Sequence, residues 1–164
     1  MTRAPVLLTV CLGNICRSPT AQAALIAAAR AANRDVTVRS AGTGSWHVGD
    51  PPDPRMSHAA RAAGLHLEGP AERVTAEMLA EADVVFAMDT TNLADIRAIA
   101  EHAGVTTPCH LFRAFDPAAA NSLDVPDPYY GGPQGFADVV EICQRTASAI
   151  IAQLDTLLDR DRAG

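Results

Sequence analysis

Side chains that can do chemistry together are concentrated in one short stretch near the start of the chain, VCLGNICRSP. Cys11 and Cys16 are five positions apart, and Arg17 and Ser18 follow them directly. Cysteine pairs that hold zinc are typically separated by about two to four residues and meet a second Cys/His pair, and no such second pair follows here. The missing second pair disfavours a metal site, and the stretch instead suggests a cysteine that reacts with a bound anion.

The same stretch has the residues that hold a phosphate group. Gly13 permits tight curvature, so that successive backbone N–H groups point inward as an anion-binding nest. Arg17 begins the next predicted helix, whose N-terminus attracts anions, and its guanidinium matches two phosphate oxygens. At the base of this cradle the N–H dipoles and Arg17 favour the nucleophilic thiolate of Cys11, and Ser18 would donate a hydrogen bond to it. The plainer alternative, a turn with two buried thiols, gives no reason for an arginine at a buried helix start.

The elements around this stretch alternate between apolar strands and helices. Strands are predicted at residues 5–10, 36–42, 82–88 and, more weakly, 106–112. Helices are predicted at 17–32, from 56 to about 64, at 90–104 and at 136–158, with a long irregular segment at 116–135. We therefore predict a single α/β domain over residues 1–164, with a parallel sheet of about four strands flanked by helices on both faces. In such sheets ligands bind beyond the carboxyl ends of the strands, where the Cys11 stretch begins.

The charge balance limits the partners of this chain. It carries 13 arginines, no lysine and 19 acidic residues in 164 positions, for a formal net charge of −6. An acidic domain without a basic run is a poor partner for nucleic acid or for an anionic membrane surface. No charged-then-apolar signal segment opens the sequence, so we expect a cytoplasmic protein with reduced cysteines and no structural disulfide.

Three segments together resemble one family, the low-molecular-weight protein tyrosine phosphatases. VCLGNICRSP resembles its phosphate-binding loop, SAGTGSWHVG (40–49) its substrate-wall loop and DVPDPYYGG (124–132) its acid loop. The last two segments are similar to those of bacterial, actinobacterial-type members. The resemblance implies metal-independent hydrolysis of phosphotyrosine in proteins through a cysteinyl-phosphate, without a cofactor. The implied partners are a tyrosine-phosphorylated protein as substrate and inorganic phosphate as product.

The resemblance also assigns the reacting groups. Cys11 matches the nucleophile and Arg17 the phosphate-binding arginine. The leaving phenolate needs a proton, and Asp127 matches the carboxylic acid that supplies it and later activates water. Asp124, three residues earlier, is the alternative acid, and Asp127 is otherwise a turn-forming aspartate.

Three further residues match supporting positions of the family. Asn14 matches a loop asparagine held by side-chain hydrogen bonds, although it is also a residue that tolerates a left-handed turn. Ser40 matches a serine of the same network. Asp89 matches an aspartate that orients the arginine, or it is a plain helix N-cap. The family often has a histidine that supports the asparagine, and because Gly69 stands at that place we expect a looser or rebuilt network.

The cleft walls are also assigned by resemblance. Trp46, His47, Tyr129 and Tyr130 would line a deep cleft that suits an aryl phosphate better than a short serine phosphate. Core packing is the alternative for Trp46, and an ordinary exposed loop histidine is the alternative for His47.

The remaining positions of the phosphate-binding loop are Leu12, Gly13, Asn14, Ile15, Cys16 and Ser18. Leu12 and Ile15 are predicted to project from the rim. Related arginine phosphatases carry threonine near the Ile15 position, so the apolar side chain favours phosphotyrosine. Cys16 is either a partner for Cys11 in an oxidation-induced disulfide or an inert buried thiol, and both interpretations stay open. Cys109 and Cys143 are predicted to be core residues.

Two other functions share part of this pattern. A thioredoxin-coupled arsenate reductase has the same fold and cradle but needs two more cysteines on a mobile segment, and residues 70–100 contain none. A non-catalytic phosphate-binding or redox-sensing module would be expected to lose one of Cys11, Arg17 and Asp127. The sequence therefore favours the phosphatase.

Overall fold

The computed structural model describes residues 3–163 of the chain. Within this range four strands form one parallel sheet in the order β2-β1-β3-β4. They are β1 (Val6–Cys11), β2 (Thr37–Gly42), β3 (Val84–Ala87) and β4 (Cys109–Leu111). The predicted four-stranded parallel α/β fold is confirmed, and β1 lies at the centre with its carboxyl end at Cys11.

Six α-helices and one 3-10 helix accompany the sheet in the described range. The α-helices are α1 (Arg17–Ala31), α2 (Pro54–Ala62), α3 (Ala76–Glu81), α4 (Thr90–Ala103), α5 (Pro133–Ala152) and α6 (Leu154–Ala163). The 3-10 helix spans Phe112–Phe115 and is followed by an irregular segment up to residue 132. None of the helices in residues 3–163 is long and apolar enough to cross a membrane.

Side chains of β1 alternate between two apolar clusters, one on each face of the sheet. Leu7 lies in the cluster formed with α1, α2, α5 and α6, whereas Leu8 and Val10 lie in the one formed with α3 and α4. Each face of the sheet is therefore covered by helices, as predicted. The two layers hold the carboxyl end of β1 rigidly at the edge where the reactive stretch begins.

The last helical region differs from the prediction of one helix over 136–158. Helix α5 starts earlier, with Pro133 in its first turn, and the helical run breaks at Gln153, which has φ −119° and ψ 19°. The helical spacing of apolar residues continues beyond Gln153 with the buried Leu154 and Leu157, so the sequence pattern does not reveal the break. The short helix α3 was not predicted, because six residues are too few to show a helical period.

Candidate active site

The segment from Cys11 to Arg17 wraps around the sulfur of Cys11. The main-chain N–H of Asn14 donates to Cys11 Sγ at 3.2 Å, and Ser18 Oγ lies 3.0 Å from the same sulfur. The left-handed residue of the turn is Asn14, with φ 57°, and not Gly13. Asn is one of the few residues other than Gly that adopt this conformation readily. The loop therefore curves at a residue whose side chain also holds it in place.

Two carbonyl groups of this loop accept hydrogen bonds from main-chain N–H groups of a neighbouring segment. The N–H of Thr43 donates to the carbonyl of Cys11, and that of Gly44 donates to the carbonyl of Leu12, each at 2.9 Å. The N–H groups of Gly13 and Ile15 donate to no protein acceptor within residues 3–163. Free N–H groups next to a helix N-terminus form a nest that suits a phosphate group.

Two glycines allow the loop to sit this close to its neighbours. A Cβ at Gly42 would lie 2.7 Å from the carbonyl oxygen of Leu12 and 3.1 Å from Asn14 N, so a larger residue there would displace the loop. A Cβ at Gly13 would lie 3.1 Å from His47 Cδ2. The sequence alone does not reveal the importance of Gly42, because it depends on which chain segment meets the end of β2.

The side chain of Asn14 is fully hydrogen-bonded. Its Nδ2 donates to Ser18 Oγ at 2.8 Å and to Ser40 Oγ at 3.0 Å, and its Oδ1 accepts from the main-chain N–H of Glu72 at 2.9 Å. Ser40 donates in turn to Gln22 Oε1 at 2.9 Å. The expected Asn14–Ser40 contact is thus present, and Gln22 is a further member of the network that sequence reasoning missed.

Gly69 contributes no side chain to the Asn14 network, and Asn14 is held without one. The acceptor oxygen of Asn14 is satisfied by the main-chain N–H of Glu72. Gly69 itself has φ +88°, and a Cβ built on it would meet nothing within 4 Å. The acceptor oxygen of Asn14 thus relies on a backbone donor, which any residue type at position 72 except proline supplies.

Arg17 is buried, with only 3% of its surface exposed. Its Nη1 donates to Asp89 Oδ2 at 2.6 Å and to the carbonyl of Val125 at 3.1 Å, and its Nη2 lies 3.7 Å from Asp127 Oδ2. Burial works against the charge, but the electrostatic interaction with Cys11 and the hydrogen bond to Asp89 outweigh it and raise the pKa of Arg17 above its ordinary value. The guanidinium is thus permanently charged and fixed in one orientation beside the nest.

Asp127 and Asp124 lie in different surroundings. Asp127 lines the cavity above the loop, and its Oδ1 accepts from the N–H of Tyr129 at 3.1 Å. Its side chain is 44% exposed, so a proton can be exchanged with solvent. Asp124 instead accepts from the N–H of Thr90 at 3.0 Å, at the start of α4, and does not line the cavity. The geometry favours Asp127 as the acid.

A cavity of about 460 Å³ opens above the loop. All of its lining residues were singled out from the sequence: Cys11, Leu12, Gly13, Ile15, Cys16, Arg17, Trp46, His47, Asp127, Tyr129 and Tyr130. The structure therefore brings together the three segments that the sequence placed far apart.

Aromatic side chains form the walls of this cavity. The rings of Tyr129 and Tyr130 meet edge to face at 5.0 Å between centroids, and the ring of His47 lies 6.0 Å from that of Tyr129. Trp46 is 74% exposed, so the alternative of core packing is excluded for it. Ile15 lines the cavity but is only 8% exposed, so the expectation that it projects from the rim is wrong.

Cys16 is a buried thiol in the wall of the same cavity as Cys11. Burial, followed by the charges of Asp53 and Cys11, raises the pKa of Cys16 to about 12, so it remains a thiol at neutral pH. Burial likewise raises the pKa of Cys143, which has the core position predicted for it, whereas Cys109 is partly exposed. Within residues 3–163, no group of three or more His, Cys, Asp or Glu residues is arranged to hold a metal ion.

Comparison with known proteins decides the family. The sequence model of the low molecular weight phosphotyrosine protein phosphatases matches residues 6–160. The chain belongs to this family. A low molecular weight protein-tyrosine-phosphatase of Streptomyces coelicolor is 38% identical over 146 residues, which cover 87% of this chain and 89% of that protein.

Solved structures of the family superpose closely on this chain. A protein tyrosine phosphatase from Entamoeba histolytica, with Hepes in its active site, has a TM-score of 0.87 and 30% identity and covers 93% of this chain and 98% of its own. A Drosophila arginine phosphatase has a TM-score of 0.85 and 28% identity, with 90% and 96% covered. The backbone of this chain is thus also similar to that of an enzyme that is named for arginine and not for tyrosine.

Proposed function

We propose that this protein hydrolyses phosphotyrosine in proteins through a cysteinyl-phosphate. Cys11 is the nucleophile, Arg17 binds the phosphate and Asp127 is the general acid and base. The observation that carries the proposal is the meeting of the Cys11 sulfur, the Arg17 guanidinium and the Asp127 carboxyl around one cavity. The catalytic unit is the single domain over residues 1–164.

In the first step the phosphate group occupies the nest above Cys11. Arg17 is held by Asp89 and by the carbonyl of Val125, so it meets the phosphate oxygens without reorganising. The sulfur attacks phosphorus, a sulfur–phosphorus bond forms, and the bond from phosphorus to the phenolic oxygen breaks. The proton of Asp127 passes to that oxygen, so tyrosine leaves as the neutral phenol.

In the second step water releases the phosphate. Asp127, now a carboxylate, accepts a proton from water as the water oxygen bonds to phosphorus and the sulfur–phosphorus bond breaks. The leaving thiolate is met by the N–H of Asn14 and the hydroxyl of Ser18, at the distances seen around the sulfur in the free protein. Inorganic phosphate is the product, and Cys11 and Asp127 return to their starting forms.

Phosphotyrosine is favoured as the substrate by the walls of the cavity. The exposed side chains of Trp46 and Tyr130 and the half-buried ring of Tyr129 offer faces and edges to a phenyl ring. Aromatic pairs contribute about 0.5–1.5 kcal/mol beyond their buried area. Ile15, at the position where related arginine phosphatases carry threonine, presents an apolar surface without a hydroxyl. We propose a cytoplasmic location because the nucleophile must stay reduced, and no nucleic-acid or membrane partner is needed.

A comparison of three phosphopeptides in the presence of EDTA tests this function. Phosphotyrosine, phosphoserine and phosphoarginine are placed in one peptide sequence, and the release of inorganic phosphate is measured with the reduced protein. Release from phosphotyrosine at least about a hundredfold faster than from the other two is expected. Preferential release from phosphoarginine would instead indicate an arginine phosphatase, and no release from any of the three would indicate a binding module.

A further inference from the structure

A cluster of one buried carboxylate and two half-buried arginines lies at the start of the irregular segment 116–132. The side chain of Asp116 has no exposed surface. It accepts from Arg145 Nε at 2.6 Å and Nη2 at 3.0 Å, and from Arg113 Nε at 3.0 Å. These contacts, led by the one with Arg145, hold the pKa of Asp116 well below its usual range. The carboxylate is therefore permanently charged and fixes both guanidinium groups.

Arg113 also contacts the segment that carries the candidate acid. While its Nε is bonded to Asp116, its Nη1 donates to the carbonyl of Asp124 at 3.0 Å. One rigid guanidinium thus joins residue 116 to residue 124 and ties the two ends of the intervening stretch together. The side chain of Arg145, in contrast, contacts Asp116 and Glu141 and makes no such bond to the acid segment within residues 3–163.

The contacts that follow Asp124 lead directly to Asp127. Val125 pairs with the end of β3 through Met88, and its carbonyl accepts from Arg17. Pro126 and Pro128 then restrict the backbone on both sides of Asp127. With so few free torsions, the position of the Asp127 carboxyl follows that of the peptide group between Asp124 and Val125, which Arg113 holds by its carbonyl and Met88 by its N–H.

We propose that Arg113, held by Asp116, is a positioning residue that sets the height of Asp127 above the phosphate nest. This inference rests on the proposed function, in which Asp127 protonates the leaving phenolate. Loss of the bond to Asp124 allows the acid segment to move, and a displacement of about 1 Å is enough to weaken catalysis severely. Arg113 contacts neither Cys11 nor Arg17, and when the segment moves Arg17 keeps its bond to Asp89, which lies outside the segment.

The dependence of the rate on the leaving group distinguishes positioning from a purely structural role. A phenolate of high basicity needs the proton from Asp127, whereas a dinitrophenolate leaves without it. We measure kcat/KM for phenyl phosphate and for 2,4-dinitrophenyl phosphate, because this quantity reports the step in which the phenolate leaves. Arg113→Met is expected to lower the value for phenyl phosphate about tenfold and to change that for the dinitrophenyl ester less than about twofold.

Arg145→Met is the matched control. It removes two hydrogen bonds to Asp116, so it lowers the melting temperature, but it leaves the Arg113 bond to Asp124 in place and should not change the ratio of the two kcat/KM values. Arg113→Lys serves if Arg113→Met does not fold, since a lysine keeps the charge beside Asp116 but lacks the planar fork that joins it to the carbonyl. It should change the ratio as Arg113→Met does.

Two results would overturn the proposal. One is an unchanged ratio in Arg113→Met or, where that variant is unfolded, in Arg113→Lys. The other is an equal change of the ratio in Arg145→Met, which would mean that the cluster acts only through general stability. Failure of the unmodified protein to hydrolyse either ester would count against the proposed function itself, and is therefore distinguishable from both.

Discussion

Asp89 gives one carboxylate oxygen to Arg17 and the other to the helix that follows it. Its Oδ2 accepts from Arg17 Nη1 at 2.6 Å, and its Oδ1 accepts from the N–H of Asn92 at 2.7 Å, as the N-cap of α4. Asp89 therefore both contacts Arg17 and caps the helix, so the two interpretations that the sequence left open apply at the same time. Arg17, the proposed phosphate-binding residue, is thereby fixed to the end of β3.

Substitutions of Asp89 separate these two roles. Asp89→Asn keeps a good N-cap but removes the charge beside Arg17, so kcat/KM for an aryl phosphate should fall about ten- to a hundredfold, in line with ~1.5–3 kcal/mol for a hydrogen bond to a charged group. Asp89→Ala should lose a similar amount of activity and also about 1 kcal/mol of the free energy of unfolding. Steady-state kinetics and urea unfolding measure the two effects, and full activity in Asp89→Asn would show that Arg17 is oriented without this charge.

Asp127 and Asp124 form a matched pair for testing the acid. Asp127→Ala should lower turnover of phosphotyrosine by about 10²–10⁴, because the phenolate then leaves without a proton. Asp124→Ala removes only the contact with the N–H of Thr90 and should have a much smaller effect. The comparison is made with the same phosphotyrosine peptide, and a larger loss in Asp124→Ala would reverse the assignment.

The conformation and the side-chain bonds of Asn14 can be tested separately. Asn14→Gly keeps a residue that tolerates a φ of 57°, whereas Asn14→Ala adds strain of about 1–2 kcal/mol. Both variants lose the bonds to Ser18, Ser40 and Glu72, so both should be at least about tenfold less active. Asn14→Ala should in addition unfold at lower urea concentration, and equal stability of the two variants would contradict the strain.

Cys16 should resist alkylation at neutral pH. With a pKa of about 12, only roughly 10⁻⁵ of this thiol is ionised at pH 7. Iodoacetamide should therefore modify Cys11 first, since the N–H of Asn14 and the hydroxyl of Ser18 meet its sulfur, although both cysteines line the cavity. Peptide mapping by mass spectrometry locates the label, with Cys11→Ser as the control. Labelling of Cys16 at the rate of Cys11 would show that the two thiols are not distinguished as described.

The parts of the site that follow from the sequence are those determined by local pattern. A buried strand that ends at Cys11, followed by the start of a helix at Arg17, is enough to place the phosphate loop at the carboxyl edge of the sheet. The roles of Asp127 and Trp46 were assigned by resemblance, and the cavity lining agrees with them.

The parts that did not follow from the sequence depend on contacts between distant segments. The support of Asn14 by Glu72 uses a main-chain donor, which leaves no signature in the residue type. Gly42 is needed because the carbonyl of Leu12 approaches it, and this meeting is known only once β1 and β2 are paired. The break at Gln153 could not be predicted, because no proline or glycine lies at that position.

The central claim is that the sulfur of Cys11 becomes covalently bonded to phosphorus. The most direct measurement is to mix the reduced protein with phosphotyrosine peptide labelled in the phosphate group, stop the reaction within milliseconds by denaturation, and map the label by mass spectrometry. The account predicts labelled phosphate on Cys11 in the unmodified protein and neither label nor turnover in Cys11→Ser. Turnover without a labelled cysteine, or turnover that persists in Cys11→Ser, would contradict it.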